Sequence, residues 1–190
     1  MNQNILGGAF LPHAPQFFTL PDTEDLSTVE RVRSLARDIG DGLKALQPDV
    51  WIMVSNDHTN QFFLTCTPAF AFHVGGKVAG NFAGREFNYD VDSETALGLV
   101  QHLQDEGFDP AFTSTSEMEY SAAIPLEHLG VDAPIVPLYV NAYVPPQPSM
   151  ERCYALGRVL ARGLALMDKT AVVVASGGMS HFPGTERYSS

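Results

Sequence analysis

Three of the six histidines follow short apolar segments typical of buried strands: His13 follows "NILGGAF", His58 follows "VWIMVS" and His181 follows "AVVVA". In open α/β sheets, function lies just beyond the carboxyl ends of the strands. Neighbouring parallel strands are about 4.8 Å apart, so imidazoles from adjacent strands can converge on one metal ion at about 2.0–2.1 Å. An imidazole also titrates near neutral pH and can serve as an acid or base. The pattern indicates a metal or acid–base site. The alternative is that residues beside His13 and His58 only form turns.

The other three histidines have structural explanations. His102 lies in the helical pattern "LVQHLQ", and His128 lies near a helix C-terminus, where a cation favours the helix dipole. His73 ends a strand-like run and is a weaker candidate for lining a site. Asp57, beside His58, either closes an Asx turn or orients a ligating imidazole from the second shell, and the turn is favoured.

The segment "SGGMSH" differs in character from the other strand ends. Its two glycines let the backbone approach a ligand closely, so Gly178 and Ser180 are candidate substrate contacts. A nucleophilic Ser180–His181 pair is disfavoured, because adjacent side chains of an extended loop point apart and no G-x-S-x-G motif is present. His181 is better suited to acid–base catalysis.

Alternating strands and helices must position these residues. The pattern predicts an α/β fold with a mixed or largely parallel central sheet flanked by helices, and an active site at the carboxyl ends of the strands. Strands are predicted at Asn4–Phe10, Val50–Ser55, Phe62–Thr67, Ala69–Val74, Pro110–Thr115, Ile135–Val140 and Ala171–Ala175. Helices are predicted from a capping box at Ser27–Glu30, and at Ser93–Glu106, Ala122–Gly130 and Ser149–Met167. Gly75–Asn88 is expected to be irregular.

Composition narrows the function. The 190 residues carry 11 Lys and Arg against 22 Asp and Glu, a net charge of −11, which argues against nucleic-acid and anionic-membrane surfaces. Only two cysteines are present, so a reducing compartment is expected. The sequence contains neither a signal-peptide pattern nor an apolar run long enough to span a membrane. We therefore expect a cytoplasmic protein with one catalytic domain over residues 1–190.

Four segments in order resemble the class III extradiol dioxygenases, the family of the catalytic β subunit of protocatechuate 4,5-dioxygenase. They are "LPHAP", "PDVWIMVSNDH", "IVPLYVNAYVPPQPSMERCYALGRVLARGL" and "VVVASGGMSHFPGTERY". The resemblance runs from the N-terminus to the last residues. "NDH" and "GGMSH" at this separation are fairly specific together.

The resemblance implies a mononuclear non-haem Fe(II) centre of the two-His-one-carboxylate type, although the ligand types also admit Mn(II). His13 and His58 would bind the metal, and His181 would be the acid–base catalyst. The substrate would be a catechol, such as protocatechuate or a related aromatic acid, and O2 would take an open metal position. A homo- or hetero-oligomer is also expected.

The sequence departs from the family pattern in two ways. The third ligand of the family is a glutamate some tens of residues after "GGMSH", and we expect it beyond Ser190, with the domain continuing there; Glu186 is too close to the motif. Glu117 and Glu119 are rival carboxylates with no spacing argument. A family histidine of a D-H-G-like turn matches Tyr120, which either donates a hydrogen bond to substrate or O2, as a catalytic and substrate-binding residue, or packs as an ordinary aromatic.

Two other functions remain open. A non-catalytic or truncated relative, serving as a partner subunit, would lack the complete metal site, although retention of all three histidines argues against it. A metal-dependent hydrolase on the same fold would need a further ligand, for which His73 is the candidate.

Overall fold

The structure is a computed structural model, and it describes residues 4–178. Within this range the strands are β1 (Ile5–Leu11), β2 (Val50–Ser55), β3 (Phe70–His73), β4 (Lys77–Phe82), β5 (Arg85–Asp90), β6 (Ala111–Thr113), β7 (Ile135–Val140) and β8 (Ala171–Ser176). The helices are α1 (Gln16–Thr19), α2 (Leu26–Lys44), α3 (Ser93–Asp105), α4 (Tyr120–Leu129) and α5 (Met150–Leu166).

Six strands form one mixed sheet in the order β1-β8-β2-β7-β3-β6. Strands β1, β8, β2 and β7 are parallel, β3 runs antiparallel to β7, and β6 is parallel to β3. The predicted α/β fold with a mixed, largely parallel sheet is confirmed. The three strands that precede His13, His181 and His58 in the sequence are neighbours in the sheet, in the order β1-β8-β2.

Both faces of the sheet are covered, which explains the continuous apolar strands. In β2, Trp51 and Met53 belong to one hydrophobic core, whereas Val50 and Ile52 belong to the other. Successive side chains of a strand point to opposite faces, so each residue of such a strand must be apolar. Helices α2 and α4 contribute to the first core, and α3 and α5 contribute to the second. No helix in residues 4–178 is both long and apolar enough to cross a membrane.

Three helices begin at side-chain caps, one of which was predicted wrongly. Asp92 and Ser149 cap α3 and α5, through Thr95 N and Arg152 N. Helix α2 begins earlier than the capping box predicts. Its N-cap is Asp25, two residues before Ser27, and the Asp25 carboxylate accepts from Ser27 N. The Ser27 hydroxyl donates to the same carboxylate. Asp25 is the stronger cap here because its two oxygens can accept several donors at once.

One predicted strand and one predicted irregular segment are also wrong. Phe62–Thr67 does not form a strand: Phe63 and Leu64 are 61% and 77% exposed, and Cys66 lies exposed with its thiol free. The Gly-rich segment within 75–88 forms a regular antiparallel hairpin of β4 and β5 rather than an irregular loop. Its turn residues Ala83 and Gly84 both have positive φ, as in the type I′ turns that suit the twist of hairpins.

The contact between α2 and α4 depends on a glycine. A Cβ added to Gly40 would lie 2.0 Å from the Leu129 carbonyl oxygen, whereas a Cβ on Gly42 would have no heavy atom within 4 Å. We therefore expect Gly40→Ala to lower the free energy of unfolding by roughly 2–3 kcal/mol, because the two helix backbones must separate. The measurement is urea unfolding followed by circular dichroism.

Gly42→Ala on the same helix is the matched control. It should leave the free energy of unfolding unchanged or raise it by about 0.5–1 kcal/mol, because alanine loses less backbone entropy than glycine in a helix. Equal destabilisation by the two substitutions would show that backbone contact at Gly40 is not what limits the packing of α2 on α4.

Candidate metal centre

The loops after β1 and β2 bring two predicted ligands together across the end of β8. The ring centroids of His13 and His58 are 5.3 Å apart, with an angle of 76° between the ring planes. Their strands are two positions apart in the sheet, so the loops nearly halve a separation that is about 9.6 Å at the strands. The two imidazoles therefore form one cluster at the carboxyl edge of the sheet.

The tautomer of His13 follows from its hydrogen bonds. His13 Nδ1 lies 2.7 Å from Ser176 Oγ, and the Ser176 hydroxyl donates its proton to the carbonyl oxygen of Ser121. Ser176 Oγ must therefore accept from His13, so Nδ1 carries the imidazole proton. In the neutral ring, the lone pair that a metal ion needs is then on Nε2.

A buried carboxylate fixes the tautomer of His58 in the same way. His58 Nδ1 donates to Glu119 Oε1 at 2.8 Å, and Glu119 is only 6% exposed. The other carboxylate oxygen accepts from the His58 backbone amide at 3.2 Å and from Ser121 Oγ at 2.9 Å. Asn56 Nδ2 lies 3.2 Å from His58 Nε2, which fits an amide donating to a lone pair at that nitrogen. Nδ1 protonation thus again presents Nε2 as the donor atom.

These contacts fit a divalent transition-metal ion at two of its ligand positions. Imidazole nitrogens with Nδ1 hydrogen-bonded to a carboxylate or hydroxyl oxygen are the arrangement that orients metal-binding histidines. Within residues 4–178, no group of three or more His, Cys, Asp or Glu side chains converges to hold a metal. Glu119 orients His58 and Glu117 is exposed, so neither of these rival carboxylates supplies a third ligand here. The predicted contributions of His181 and Ser180 lie outside the described residues.

Asp57 makes the contacts expected of a residue that closes a turn. Its two carboxylate oxygens accept from the backbone amides of Gln61 and Phe62 at 2.9 and 3.0 Å. The carboxylate on the His58 ring is that of Glu119 rather than the neighbouring Asp57. Asp57 therefore shapes the loop that follows His58, and Glu119 has the orienting contact that was predicted for Asp57.

Tyr120 lies directly against both imidazoles. Its ring stacks on His58 with centroids 5.0 Å apart and an 8° interplanar angle, and it contacts His13 edge-on at 5.9 Å. Phe82 of the hairpin covers it at 4.7 Å. Burial, and then the negative charge of Glu119, raise the pKa of the Tyr120 phenol. The phenol therefore keeps its proton at neutral pH and can act as a hydrogen-bond donor.

The remaining described histidines lie outside the cluster. His73 is buried and both ring nitrogens are engaged, Nδ1 with Ser116 Oγ and Nε2 with the Lys77 carbonyl, so it is not the extra ligand that a hydrolase would need. His128 is buried as well, and its pKa is lowered, chiefly by burial. Its predicted structural position in the last turn of a helix is confirmed, whereas the lowered pKa disfavours the cation expected there. His102 packs against Gly163 of α5, in a structural role as predicted.

A large cavity opens beside the two imidazoles. Its volume is about 780 Å³, and His13, His58 and Gly178 all line it. Its walls are mainly aliphatic side chains from one face of the sheet and from α5: Ile5, Ile52, Val54, Leu138, Val140, Leu156, Leu160 and Val173. The predicted substrate contact Gly178 is thus placed at the cavity. This is the arrangement typical of a small-molecule site, with apolar walls and a few convergent polar groups.

Sequence patterns alone missed three residues of this site. Ser176 and Ser121 link the imidazoles through hydrogen bonds, and Tyr143 lines the cavity with its ring 5.5 Å from that of His58. Ser176 immediately precedes the Gly-Gly pair and could have been suspected from that position. Nothing in the spacing of Ser121 or Tyr143 marks them.

Comparison with known proteins agrees with this architecture. Residues 7–189 match the family described as "Catalytic LigB subunit of aromatic ring-opening dioxygenase". Among curated proteins, the chain is 30% identical over 166 residues to a 2,3-dihydroxyphenylpropionate/2,3-dihydroxicinnamic acid 1,2-dioxygenase from Mycobacterium sp. (strain MCS), covering 86% of this chain and 52% of that protein. The proteins of the same name from Paraburkholderia phymatum and Klebsiella pneumoniae subsp. pneumoniae are 32% and 30% identical, covering 86% and 91% of this chain and 51% and 55% of those proteins.

The match covers nearly the whole chain and defines the class of protein: this chain belongs to the LigB family of aromatic ring-opening dioxygenases. The predicted resemblance to class III extradiol dioxygenases is confirmed. The chain spans about half the length of the curated relatives it matches. Those relatives are named for dihydroxyphenylpropionate and dihydroxycinnamic acid rather than for protocatechuate.

The Glu119 contact yields a test of the metal centre. We expect Glu119→Gln to weaken binding of a divalent metal ion by about 10- to 100-fold, the usual effect of removing a group that orients a ligating histidine. A glutamine keeps only one acceptor oxygen. Its NH2 group takes the place of the other oxygen and faces hydrogen-bond donors there. The measurement is anaerobic titration with Fe(II), or with Co(II) as a spectroscopic substitute.

Glu117→Gln is the matched control, because it removes the same charge two residues away from an exposed side chain. Its metal affinity should equal that of the unmodified chain. If the two substitutions weaken metal binding equally, the effect is one of net charge and Glu119 does not orient the ligand.

Proposed function

We propose that this chain carries the catalytic site of an Fe(II)-dependent extradiol dioxygenase, which opens a catechol ring with O2. The observation that carries the proposal is the pair of imidazoles, His13 and His58, both held with Nε2 as the donor atom beside the 780 Å³ cavity. We further propose that a carboxylate outside residues 4–178 supplies the third ligand. Two imidazoles and one carboxylate leave one face of the metal open for both reactants.

The cavity supports a particular class of substrate. The names of the relatives specify catechols with a three-carbon acid side chain, and the long aliphatic wall offers a surface for such a chain. Protocatechuate carries its carboxylate directly on the ring and would leave that wall unfilled. We therefore propose a 3-substituted catechol, such as 2,3-dihydroxyphenylpropionate, in preference to protocatechuate. Filling an apolar wall contributes about 25 cal/mol for each Å² removed from water.

The residues around the imidazoles have separate roles in this proposal. When bound, Fe(II) would act as a Lewis acid toward the catechol oxygens and activate O2. Glu119 and Ser176 hold the ligand rings in orientation, and the protonated phenol of Tyr120 donates a hydrogen bond to an oxygen of the reactants. His181 accepts a proton from a catechol hydroxyl and returns it during ring opening. The apolar walls exclude water from the reacting groups.

A direct assay tests the reaction. The protein, produced at its full encoded length so that the proposed carboxylate ligand is included, is loaded anaerobically with Fe(II), given 2,3-dihydroxyphenylpropionate and then exposed to air, and the coloured ring-opened product is followed by absorbance. We expect product with this substrate and at least tenfold lower kcat/KM with protocatechuate, a difference of about 1.4 kcal/mol in transition-state binding. Absence of ring-opened product with both catechols would contradict the proposed activity.

Histidine variants separate ligands from the acid–base catalyst within the same assay. His13→Ala and His58→Ala should each abolish stoichiometric Fe(II) binding, whereas His181→Ala should retain iron and lose turnover. His102→Ala is the control, because this histidine packs between helices away from the cavity. Iron loss in His181→Ala would overturn the assigned role.

Tyr120→Phe isolates the phenol from the ring. Phenylalanine keeps the stacking on His58 and removes only the donor, so we expect metal affinity to stay unchanged and kcat to fall by about 10²-fold, the lower range for a positioned proton donor. The measurements are steady-state kinetics and Fe(II) titration on the same samples. An unchanged kcat would show that Tyr120 acts only by packing.

A further inference from the structure

A second cavity, of about 240 Å³, collects positive charge on the side of the molecule formed by α1, α2, α4 and the hairpin turn. Its lining comprises Phe18, Arg33, Arg37, Arg85, Glu127 and His128. It shares no residue with the cavity at the imidazoles. The chain has only 11 Lys and Arg against 22 Asp and Glu, so convergence of three arginines from two elements is unexpected for a merely solvated surface.

Only one of the three guanidinium groups is neutralised. Arg33 pairs with Glu30 at 2.6 Å and donates to the Phe17 carbonyl at 2.5 Å, and these contacts hold it in a fixed position. Across the part of the chain that the structure describes, Arg37 and Arg85 make no ion pair. With one carboxylate, Glu127, among three arginines, the lining keeps a net positive charge, and a bound anion would reduce the repulsion among the guanidinium groups.

An aromatic platform fixes the second arginine. The Arg85 guanidinium lies 4.6 Å from the centroid of the Phe18 ring, and Phe18 in turn stacks on Phe87 at 5.6 Å and on His128 at 5.8 Å. A guanidinium held by its face on an aromatic ring keeps its N–H groups directed outward in its own plane. Arg85 is therefore pre-organised to donate to an oxyanion.

The cavity also offers a hydrogen-bond acceptor. It is not His128, because Nδ1 of that ring donates to the Ile124 carbonyl at 2.7 Å and Nε2 is buried, without a partner among the described residues. Burial, with a contribution from the charges of Arg33 and Arg85, lowers the pKa of His128. The acceptor is the exposed Glu127 carboxylate of the lining, whose Oε1 also accepts from the Tyr89 hydroxyl at 3.2 Å. Donors and an acceptor thus occur together.

We propose that this arginine cavity is a binding site for inorganic phosphate. Arginines recognise phosphate oxygens through charge-assisted and often bidentate hydrogen bonds. At neutral pH monohydrogen phosphate also carries a P–OH group, which can donate to the Glu127 carboxylate. Sulfate has a similar size and charge but only acceptors, so Glu127 would repel it without compensation. The mixed lining therefore favours phosphate over sulfate, and it also favours free phosphate over a phosphate monoester dianion, which lacks that proton.

Calorimetric titration of the purified chain at pH 7 and constant ionic strength tests the site. We expect saturable binding of one phosphate, with sulfate and glycerol phosphate each bound at least about tenfold more weakly, as loss of one charge-assisted hydrogen bond implies. Arg37→Gln and Arg85→Gln should each weaken phosphate binding by about tenfold or more. Arg31→Gln, an exposed arginine of the same helix outside the cavity, should bind phosphate normally.

Glu127→Gln provides a test with the opposite sign. Removal of its negative charge should strengthen sulfate binding and shrink the ratio of phosphate to sulfate affinity. Three results would each overturn the proposal: equal weakening of phosphate binding by Arg31→Gln and Arg85→Gln, sulfate binding as tight as phosphate binding, or no saturable binding. Circular dichroism of every variant confirms the fold, and no outcome depends on metal binding or ring cleavage.

Discussion

The geometry of the candidate metal centre depends on hydrogen bonds that converge on the first residues of α4. Glu119 accepts from the imidazole of His58, and the carbonyl oxygen of Ser121 accepts from Ser176, which in turn accepts from His13. Carboxylate and carbonyl oxygens only accept, so the direction of each bond is determined. One helix start thereby fixes the proton of both rings on Nδ1. Without this helix, the loops after β1 and β2 would not determine which ring nitrogen of His13 and His58 carries the proton.

Placing a carboxylate there requires that it be fully satisfied. Glu119 is buried, and an unpaired buried charge would cost several kcal/mol. It instead accepts from the ring and backbone N–H groups of His58, and the Ser121 hydroxyl, whose single proton is shared with the Asn56 carbonyl oxygen, lies 2.9 Å away. The helix that carries it is itself nearly all buried, and its far end lies against α2 at Gly40. Helix packing several residues away therefore determines where the ligand ring is held.

Sequence predicts those features of this structure that depend on residues close together in the chain, and it misses those that depend on distant residues. Strand β2 was predicted with its observed bounds, because a strand covered on both faces is apolar at every position and the signal is local. The hairpin was missed because its turn is Ala83-Gly84, and alanine is rare at positive φ. Phe62–Thr67 was mistaken for a strand because its phenylalanines and leucine are apolar, yet the segment remains on the surface. Glu119 was only one of two rival carboxylates, because it is 61 residues from His58 and no spacing rule spans such a separation.

The hairpin of β4 and β5 contacts both the imidazole cluster and the arginine cavity. Phe82 and Arg85 are directly paired across the turn, and residues opposite each other in an antiparallel pair lie on the same face. Phe82 packs on Tyr120 beside the imidazoles, whereas Arg85 stacks on Phe18 in the arginine cavity. A two-residue turn holds both side chains at a fixed separation, so displacement of the turn disturbs both contacts together. The packing of Tyr120 on His58 is therefore constrained by Phe82 of this hairpin as well as by the position of Tyr120 at the start of α4.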